Sequence, residues 1–257
     1  ATELYKALER AFEDSSLGET PVVCNLPSSD LLSRYMDLPS DNPSKHADFV
    51  GQEAQANIPI AYDLLSTGYY IFEKARESSV SQVAMLTALR KTDVEARESM
   101  FKQLKVNLVG MLAEPVANYN ALKHLNYLGE VNPGSAEAIM MVDVGHVRTN
   151  IQFFTSFGSW FRTIDWGIES LSQALAVGLK ITHKDGDGVR RNIMRSKSVS
   201  ESMGFLREAC TVPKREIERS VRAATEQLKE LEVVESILVG GGVYQPFLGS
   251  LLNNEDL

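Results

Sequence analysis

The chain has 257 residues, of which 44% are hydrophobic and 23% charged, and its net charge is −8. This composition is typical of a folded globular protein and excludes a disordered one, and no apolar run approaches the ~18 residues that a membrane-spanning helix needs. The negative charge disfavours nucleic acid as a partner. The two cysteines, Cys24 and Cys210, have no second Cys or His at metal-ligand spacing, which favours reduced thiols in a cytoplasmic protein. Because residue 1 is alanine, the sequence is expected to be part of a longer chain.

The first 27 residues predict one helix and one buried strand. Pro21 to Leu26 (PVVCNL) is the predicted strand, and Pro27 ends it. A helix–strand pair of this kind is typical of an α/β layer and is too small to fold alone. The predicted helix has an apolar stripe at helical spacing, formed by Leu4, Ala7, Leu8, Ala11 and Phe12.

Residues 28–105 predict a small α+β module in the order β, α, β, β, α. Thr92 and Glu95 form a capping-box pattern, which predicts that the last helix begins at Asp93. His46 stands alone in a polar stretch and is expected to be solvated. The predicted elements are strands at 31–36, 64–72 and 81–89 and helices at 46–57 and 93–105.

A strand at 107–112 and a helix at 114–128 follow, with Pro115 in the first helical turn, where proline is tolerated. The segment 129–135 (GEVNPGS) predicts a linker and the clearest domain boundary of the chain.

The segment from Ala138 to Trp166 predicts an antiparallel meander of three strands with glycine-containing turns. Asp143 lies at the end of its first strand, two residues before Gly145. A carboxylate there can hold a metal ion, and a tight glycine turn can direct backbone amides at phosphate oxygens. Because Asp-x-Gly is also an ordinary turn, this motif alone leaves both interpretations open.

Predicted helices at 167–180, 199–209 and 213–231 come next. The polar segment 181–191 (ITHKDGDGVRR) lacks the third acidic position and the closing Glu of a calcium loop. This region carries more Lys and Arg than Asp and Glu, which fits solvated helix faces or a face for an anionic partner.

A strand at 233–239, the turn Gly240-Gly241-Gly242 and a short helix at 244–252 form the second informative motif. Glycines permit positive φ and a close approach of backbone to a ligand, and a helix start suits an anion or nucleotide. The pattern is neither a dinucleotide fingerprint nor a Walker loop.

Together these motifs resemble the second lobe of actin-like ATPases and, more narrowly, the type IV pilus assembly protein PilM family, which is related to FtsA. The resemblance extends through nearly the whole chain. The residues that carry it are Leu26-Pro27-Ser28-Ser29, Met36-Asp-Leu-Pro39, Glu53-Ala-Gln-Ala-Asn-Ile-Pro59-Ile60, Glu114-Pro115-Val-Ala-Asn118, Val142-Asp-Val-Gly145 with Thr149, and Leu238-Val-Gly-Gly-Gly242 with Pro246.

The resemblance implies an α/β protein with the actin-like ATPase (ribonuclease-H-like) fold, incomplete at its N-terminus. Residues 1–27 and 106–129 would be the remainder of the first lobe (1A), and 28–105 the inserted α+β module (1C). Residues 136–257 would be the second lobe (2A), with subdomain 2B at about 182–231.

The implied function is that of a cytoplasmic adaptor in the inner-membrane platform of a type IV pilus or a related secretion system. It would be peripheral to the membrane through a PilN-like partner. A short segment of that partner would lie in a groove between the remaining first lobe and the 1C module, with Ile58, Pro59 and Ile60 as candidate contacts.

Two alternatives are an FtsA-like polymerising cell-division ATPase, which needs complementary ends and an amphipathic tail, and a phosphotransferase on the same fold. No acidic residue beyond Asp143 is placed for catalysis, so the expected activity is at most that of a weak ATPase with no catalytic residue assigned.

The implied ligand is ATP or ADP with Mg²⁺. His146 and Arg148 stand where the family usually has small residues, and Asp187-x-x-Arg190 replaces a Glu-x-x-Lys near the ribose and adenine. The family's first phosphate loop does not occur in these 257 residues, so nucleotide binding is expected to be regulatory or lost. Asp143 would organise Mg²⁺ through water, and the implied nucleotide-binding residues are Asp143, Gly145, Arg148, Thr149, Arg190, Gly240, Gly241 and Gly242.

Overall fold

The computed structural model describes residues 2–15, 19–39, 43–72, 81–130, 136–156, 158–228, 231–245 and 247–253. The chain divides into two compact units, Ala1–His124 and Leu125–Leu257. The predicted linker at 129–135 lies mostly outside the described residues. None of the helices in the described ranges is long and apolar enough to cross a membrane.

The first unit contains two small sheets. One is a parallel pair, β1 with β5, and the other is antiparallel with the order β2-β4-β3. The strands are β1 (Val22–Leu26), β2 (Leu32–Pro39), β3 (Leu65–Ile71), β4 (Ser81–Arg90) and β5 (Leu108–Ala113). The helices described in this unit are α1 (Thr2–Ser15), α2 (His46–Asn57), α3 (Lys91–Gln103) and α4 (Glu114–His124).

The three-stranded sheet packs against α2. Ala84, Leu86 and Ala88 alternate along β4 and face the same core, as the two-residue period of a strand requires. Val50 and Ala54 of α2, together with Ile58 directly after the helix, pack against these residues in the same core. The predicted order of elements from β2 to α3 is therefore confirmed.

Two predictions for this module are wrong. His46 is buried, with 3% of its surface exposed, and its ring makes an edge contact with Tyr69 at a centroid distance of 6.2 Å. Helix α3 begins at Lys91, directly after Arg90 ends β4, and no side chain caps it. The capping box at Thr92 does not form, because the helix begins before Thr92 and the N-cap position is occupied by Arg90.

The second unit is built on one four-stranded sheet with the order β8-β7-β6-β9. The predicted meander is confirmed, and β9 is parallel to β6. The strands are β6 (Glu137–Val144), β7 (Thr149–Thr155), β8 (Gly158–Ile164) and β9 (Glu232–Val239). The helices described here are α5 (Ile168–Leu179), α6 (His183–Arg191), α7 (Val199–Ala209), α8 (Thr211–Leu228) and α9 (Leu248–Asn253).

One large apolar core joins the sheet of the second unit to its helices. Phe153 of β7, Leu171 and Leu175 of α5, and Leu206 of α7 are fully buried in it. Cys210 is also buried there, and this burial raises the pKa of its thiol to about 11. Cys24 in the first unit is half-buried, and both cysteines are free.

Helix α6 is the element that the sequence did not predict. Thr182 caps it by accepting a hydrogen bond from the amide of Asp185 at 3.2 Å. Gly186 lets α6 approach α5 closely, since a Cβ at this position would lie 2.6 Å from the carbonyl oxygen of Ser172. The helix therefore forms through its cap and its contact with α5, although its own sequence is polar and contains two glycines.

Candidate functional site

In the second unit, two bends that contain glycine lie side by side where neighbouring strands of the sheet end. Strands β6 and β9 are parallel neighbours in which Asp143 is paired with Val239, so their carboxyl ends adjoin. The chain leaves β6 at Gly145 and β9 at Gly240. In open α/β sheets, ligands bind in the crevice outside such carboxyl ends.

Gly240 has a conformation that other residues rarely adopt. Its φ of 84° and ψ of −177° fall in a region that is essentially restricted to glycine. A Cβ at this position would overlap Oδ1 of Asp143 and would lie 2.7 Å from the carbonyl oxygen of Val144. The triple-glycine turn therefore lies directly against the end of β6, beside the Asp143 carboxylate.

The loop after β6 turns its carbonyl groups towards α5. The carbonyl oxygens of Gly145 and His146 accept hydrogen bonds from the amides of Ile168 (3.1 Å) and Glu169 (2.8 Å), which satisfies two free amides of the first helical turn. The amide of Gly145 donates to the carbonyl oxygen of Arg148 at 2.9 Å. Within the described structure, the amides of residues 146–148 have no backbone acceptor. Amides left free in a turn are available to an anion, so these three are the candidate donors of the loop.

A cavity of about 330 Å³ lies at these loops. Tyr244 is 88% exposed and His146 is also exposed, so aromatic and imidazole surface faces solvent there. The wall residues are Gly145, His146, Ile168, Arg190, Arg191, Gly241, Tyr244 and Gln245.

Arg190 forms hydrogen bonds to several of the elements around this cavity. Its guanidinium donates to Oγ of Ser172 at 2.9 Å, to Oε1 of Gln245 at 2.6 Å and to Oδ1 of Asp187 at 2.6 Å. Only 9% of Arg190 is exposed. The residue thus links α5, α6 and the turn after β9 through protein groups, and its predicted role in contacting a nucleotide stays a prediction.

Hydrogen bonding to the guanidinium of Arg190 lowers the pKa of Asp187 from 3.8 to about 2, with smaller contributions from Arg191 and Ser172. Because the pKa is lower in the folded state, the ionised carboxylate stabilises the protein above about pH 4, and this stabilisation is lost as the pH falls to about 2. We expect the wild type to lose about 1–2 kcal/mol more stability than Asp187→Asn over this range, after allowance for solvent screening. Urea unfolding at a series of pH values measures the difference, and parallel curves for the two proteins would contradict it.

Two of the predicted phosphate-facing residues do not line the cavity. Thr149 is 1% exposed, and its hydroxyl donates to the carbonyl oxygen of Trp166 at 2.8 Å, because β7 begins at this residue and buries its side chain. Arg148 is exposed, and its Nε donates to Oδ1 of Asp165 at 3.0 Å. Their assignment as phosphate contacts therefore finds no support in the position of their side chains.

The described residues include no group of three or more His, Cys, Asp or Glu placed to hold a metal ion. The carboxylate of Asp143 lies against the Gly240 turn, and that of Glu169 lies 3.8 Å from the imidazole of His146. This donor set suits Mg²⁺, which usually keeps several waters and binds proteins through one or two carboxylates together with the phosphates of a ligand.

A second cleft, also of about 330 Å³, lies within the first unit. Its walls come from both sheets: residues 66–68 of β3 and 87–89 of β4 on one side, and residues 108–111 of β5 on the other. Val94 and Glu98 of α3 also line it, as do Leu26, Leu31 and Ala113. In the described sheets, β3 and β5 are edge strands, each paired on one side alone.

The residues that the sequence proposed for partner binding lie elsewhere in this unit. None of Ile58, Pro59 and Ile60 is among the residues that line the cleft. Ile58 is 6% exposed and belongs to the core beneath α2, whereas Pro59 is exposed and Ile60 is half-buried against that core. A role in partner binding for these residues stays a prediction, and Ile58→Asp would test the core instead.

The family model of the type IV pilus assembly protein PilM matches residues 1–255. The chain belongs to the PilM family. Among curated proteins, none has a significantly similar sequence.

Solved structures show that this PilM-family chain has the actin-like ATPase fold. A chain of the PilM-PilN type IV pilus biogenesis complex superimposes with a TM-score of 0.76 and 16% identity, over 98% of this chain and 72% of that one. MreB5 of Spiroplasma citri bound to ADP superimposes with a TM-score of 0.50 and 11% identity, over 98% of this chain and 67% of that one. At these identities the similarity establishes the fold alone.

Sequence reasoning did not find several residues of the two clefts. Tyr244 and Gln245 follow the triple glycine closely, so their position in the chain was an available signal. Arg191 adjoins the predicted Arg190. The cleft of the first unit had no such signal, because its walls come from separate strands and a helix that share no motif.

Proposed function

We propose that this PilM-family chain is a cytoplasmic adaptor of a type IV pilus inner-membrane platform, peripheral to the membrane through a PilN-like partner. The chain binds a short cytoplasmic segment of that partner, and a nucleotide in the second unit has a regulatory role. The observation that carries this proposal is the cleft between the two sheets of the first unit.

The walls of this cleft suit an extended peptide. Edge strands offer unpaired backbone groups, and a peptide that adds to such an edge gains main-chain hydrogen bonds while its alternate side chains enter pockets. Gly68 and Gly110 are wall residues without side chains, and a Cβ at Gly110 would meet no atom within 4 Å. A volume of about 330 Å³ is at the lower end for ligand pockets, so it accommodates a few side chains of a short segment.

The family and the fold agree with this proposal. The solved complex with the higher TM-score contains a PilM chain together with PilN. The cleft lies between the parallel pair and the α+β module, which supports a groove for the segment between these two parts of the first unit.

The proposed nucleotide site is the cavity of the second unit. Gly241, which lines the cavity, would lie against the adenosine, with Gly240 and Gly242 beside it in the turn. The amides of residues 146–148 would face the phosphates, and Asp143 would hold Mg²⁺ through water. When bound, Mg²⁺ supplies positive charge that neutralises the phosphates. The chain's own groups at this site bind and orient, and we assign them no catalytic step.

We expect Gly110→Leu to weaken binding of the partner segment by at least about tenfold, because a leucine side chain fills space that the segment needs. We expect the substitution to leave the fold intact, since a Cβ at Gly110 has free space and its φ is not positive, although the pairing of β5 with β1 is irregular beside this residue. Calorimetric titration with a synthetic peptide of the cytoplasmic segment of the PilN-like protein from the same organism measures the affinity.

Gly204→Leu is the matched control. A Cβ at Gly204 also meets no atom within 4 Å, but this residue lies on α7 of the second unit. The control should bind the peptide with the wild-type Kd. Equal affinities for Gly110→Leu and the wild type would refute binding in this cleft.

A further inference from the structure

We infer that the cleft of the first unit selects a partner segment with a basic side chain, which forms an ion pair with Glu98. This inference rests on the proposed partner-binding function and specifies the chemistry of the segment: extended, largely apolar, with one Lys or Arg placed at α3.

Glu98 is the one ionisable side chain among the described residues that line the cleft. It follows Val94 by four residues on α3, so both side chains lie on the same helix face. The rest of the wall is made of apolar residues, glycines and the hydroxyl groups of Ser66, Thr67 and Thr87. The electrostatic character of the wall is therefore set by one carboxylate.

This carboxylate is available to a ligand. Within the described part of the chain, Glu98 forms no ion pair or hydrogen bond. The neighbouring Arg97 points to Asp30, with its Nη2 at 2.6 Å from Oδ2 of that residue. An arriving cation thus meets an unpaired negative charge and displaces no existing partner of Glu98.

The charge of the whole unit acts in the same direction. Residues 1–124 carry 12 Lys or Arg and 17 Asp or Glu, a net charge of −5. A negative field attracts a basic segment and repels an acidic one, and it acts mainly on the rate of association. The local pair with Glu98 then fixes the position of the segment along the cleft.

A charge exchange between protein and peptide tests this inference. The probes are the cytoplasmic segment of the PilN-like protein from the same organism and the same peptide with its basic residues replaced by glutamate. Fluorescence anisotropy titrations measure the Kd of both peptides with the wild type, Glu98→Gln and Glu98→Lys at about 0.05 M and about 0.5 M salt. The matched control is Glu95→Lys, which makes the same charge change at an exposed residue of α3 that does not line the cleft.

We expect the wild type to bind the basic peptide about three- to tenfold more tightly than the acidic one at low salt, with a smaller ratio at high salt. Glu98→Gln should reduce this ratio, Glu98→Lys should abolish or invert it, and Glu95→Lys should retain it. Tight binding of both peptides with no effect of Glu98→Lys, or a native segment without any basic residue, would overturn the inference and leave the proposed function standing. Binding of neither peptide would overturn both.

Discussion

Replacement of Gly240 by valine is expected to lower the free energy of unfolding by about 3 kcal/mol or more and to abolish the proposed binding of nucleotide. A β-branched residue at a φ of 84° is strained. Its Cβ would also displace the Asp143 carboxylate and press on the carbonyl group of Val144. Urea unfolding measures the stability, and calorimetric titration with Mg²⁺ and ADP measures the affinity.

Gly241→Ala is the control for this prediction. A Cβ at Gly241 would meet no atom within 4 Å, and its φ is not positive, although the residue lines the same cavity. We expect a change in stability below about 0.5 kcal/mol. If Gly240→Val were as stable as Gly241→Ala, the close contact between the glycine turn and β6 would be wrong.

The second large effect is expected for Arg190→Met, which should lower stability by about 2–4 kcal/mol. The substitution leaves the buried side chains of Gln245 and Ser172 without their charged donor. Asp187 keeps its bond to Arg191 at 2.7 Å, so the cost is less than that of a fully unpaired buried charge. Thermal and urea unfolding monitored by circular dichroism measure the loss.

Arg191→Met is the control that removes a positive charge beside Asp187 but leaves the buried hydrogen bonds of Arg190 in place. Arg191 pairs with the same carboxylate, but its side chain is 68% exposed, and exposed ion pairs contribute little. We expect a loss below about 1 kcal/mol. Similar losses for the two variants would mean that the network around Arg190 does not hold the cavity walls.

The sequence predicted the strands well, because each combines apolar residues with the turn residues that end it. The meander from β6 to β8 and the return of β9 before three glycines are examples. Helix α6 could not be predicted in this way, since HKDGDGVRR has no apolar stripe and contains two glycines. It is stabilised by the Thr182 cap and by contacts with α5 that only the folded chain provides.

The candidate site was predictable to a similar degree. The resemblance implied that Asp143 and Gly240 to Gly242 would share one site, and parallel pairing of β6 with β9 brings them together. The directions of the Arg148 and Thr149 side chains were not predictable. They depend on where β7 begins and on the hydrogen bonds that these side chains donate to Asp165 and Trp166. The resemblance implied a groove between the two parts of the first unit, but the wall residues of the cleft found there depend on packing between distant strands.

Hydrogen–deuterium exchange of the intact chain, with and without the cytoplasmic segment of the PilN-like protein, tests the adaptor proposal most directly. We predict slower exchange of the backbone amides at residues 66–68 of β3 and 108–111 of β5 when the segment is bound, since these edge strands form the proposed docking surface. Unchanged exchange in both strands at saturating peptide, or protection confined to residues 125–257, would contradict the account.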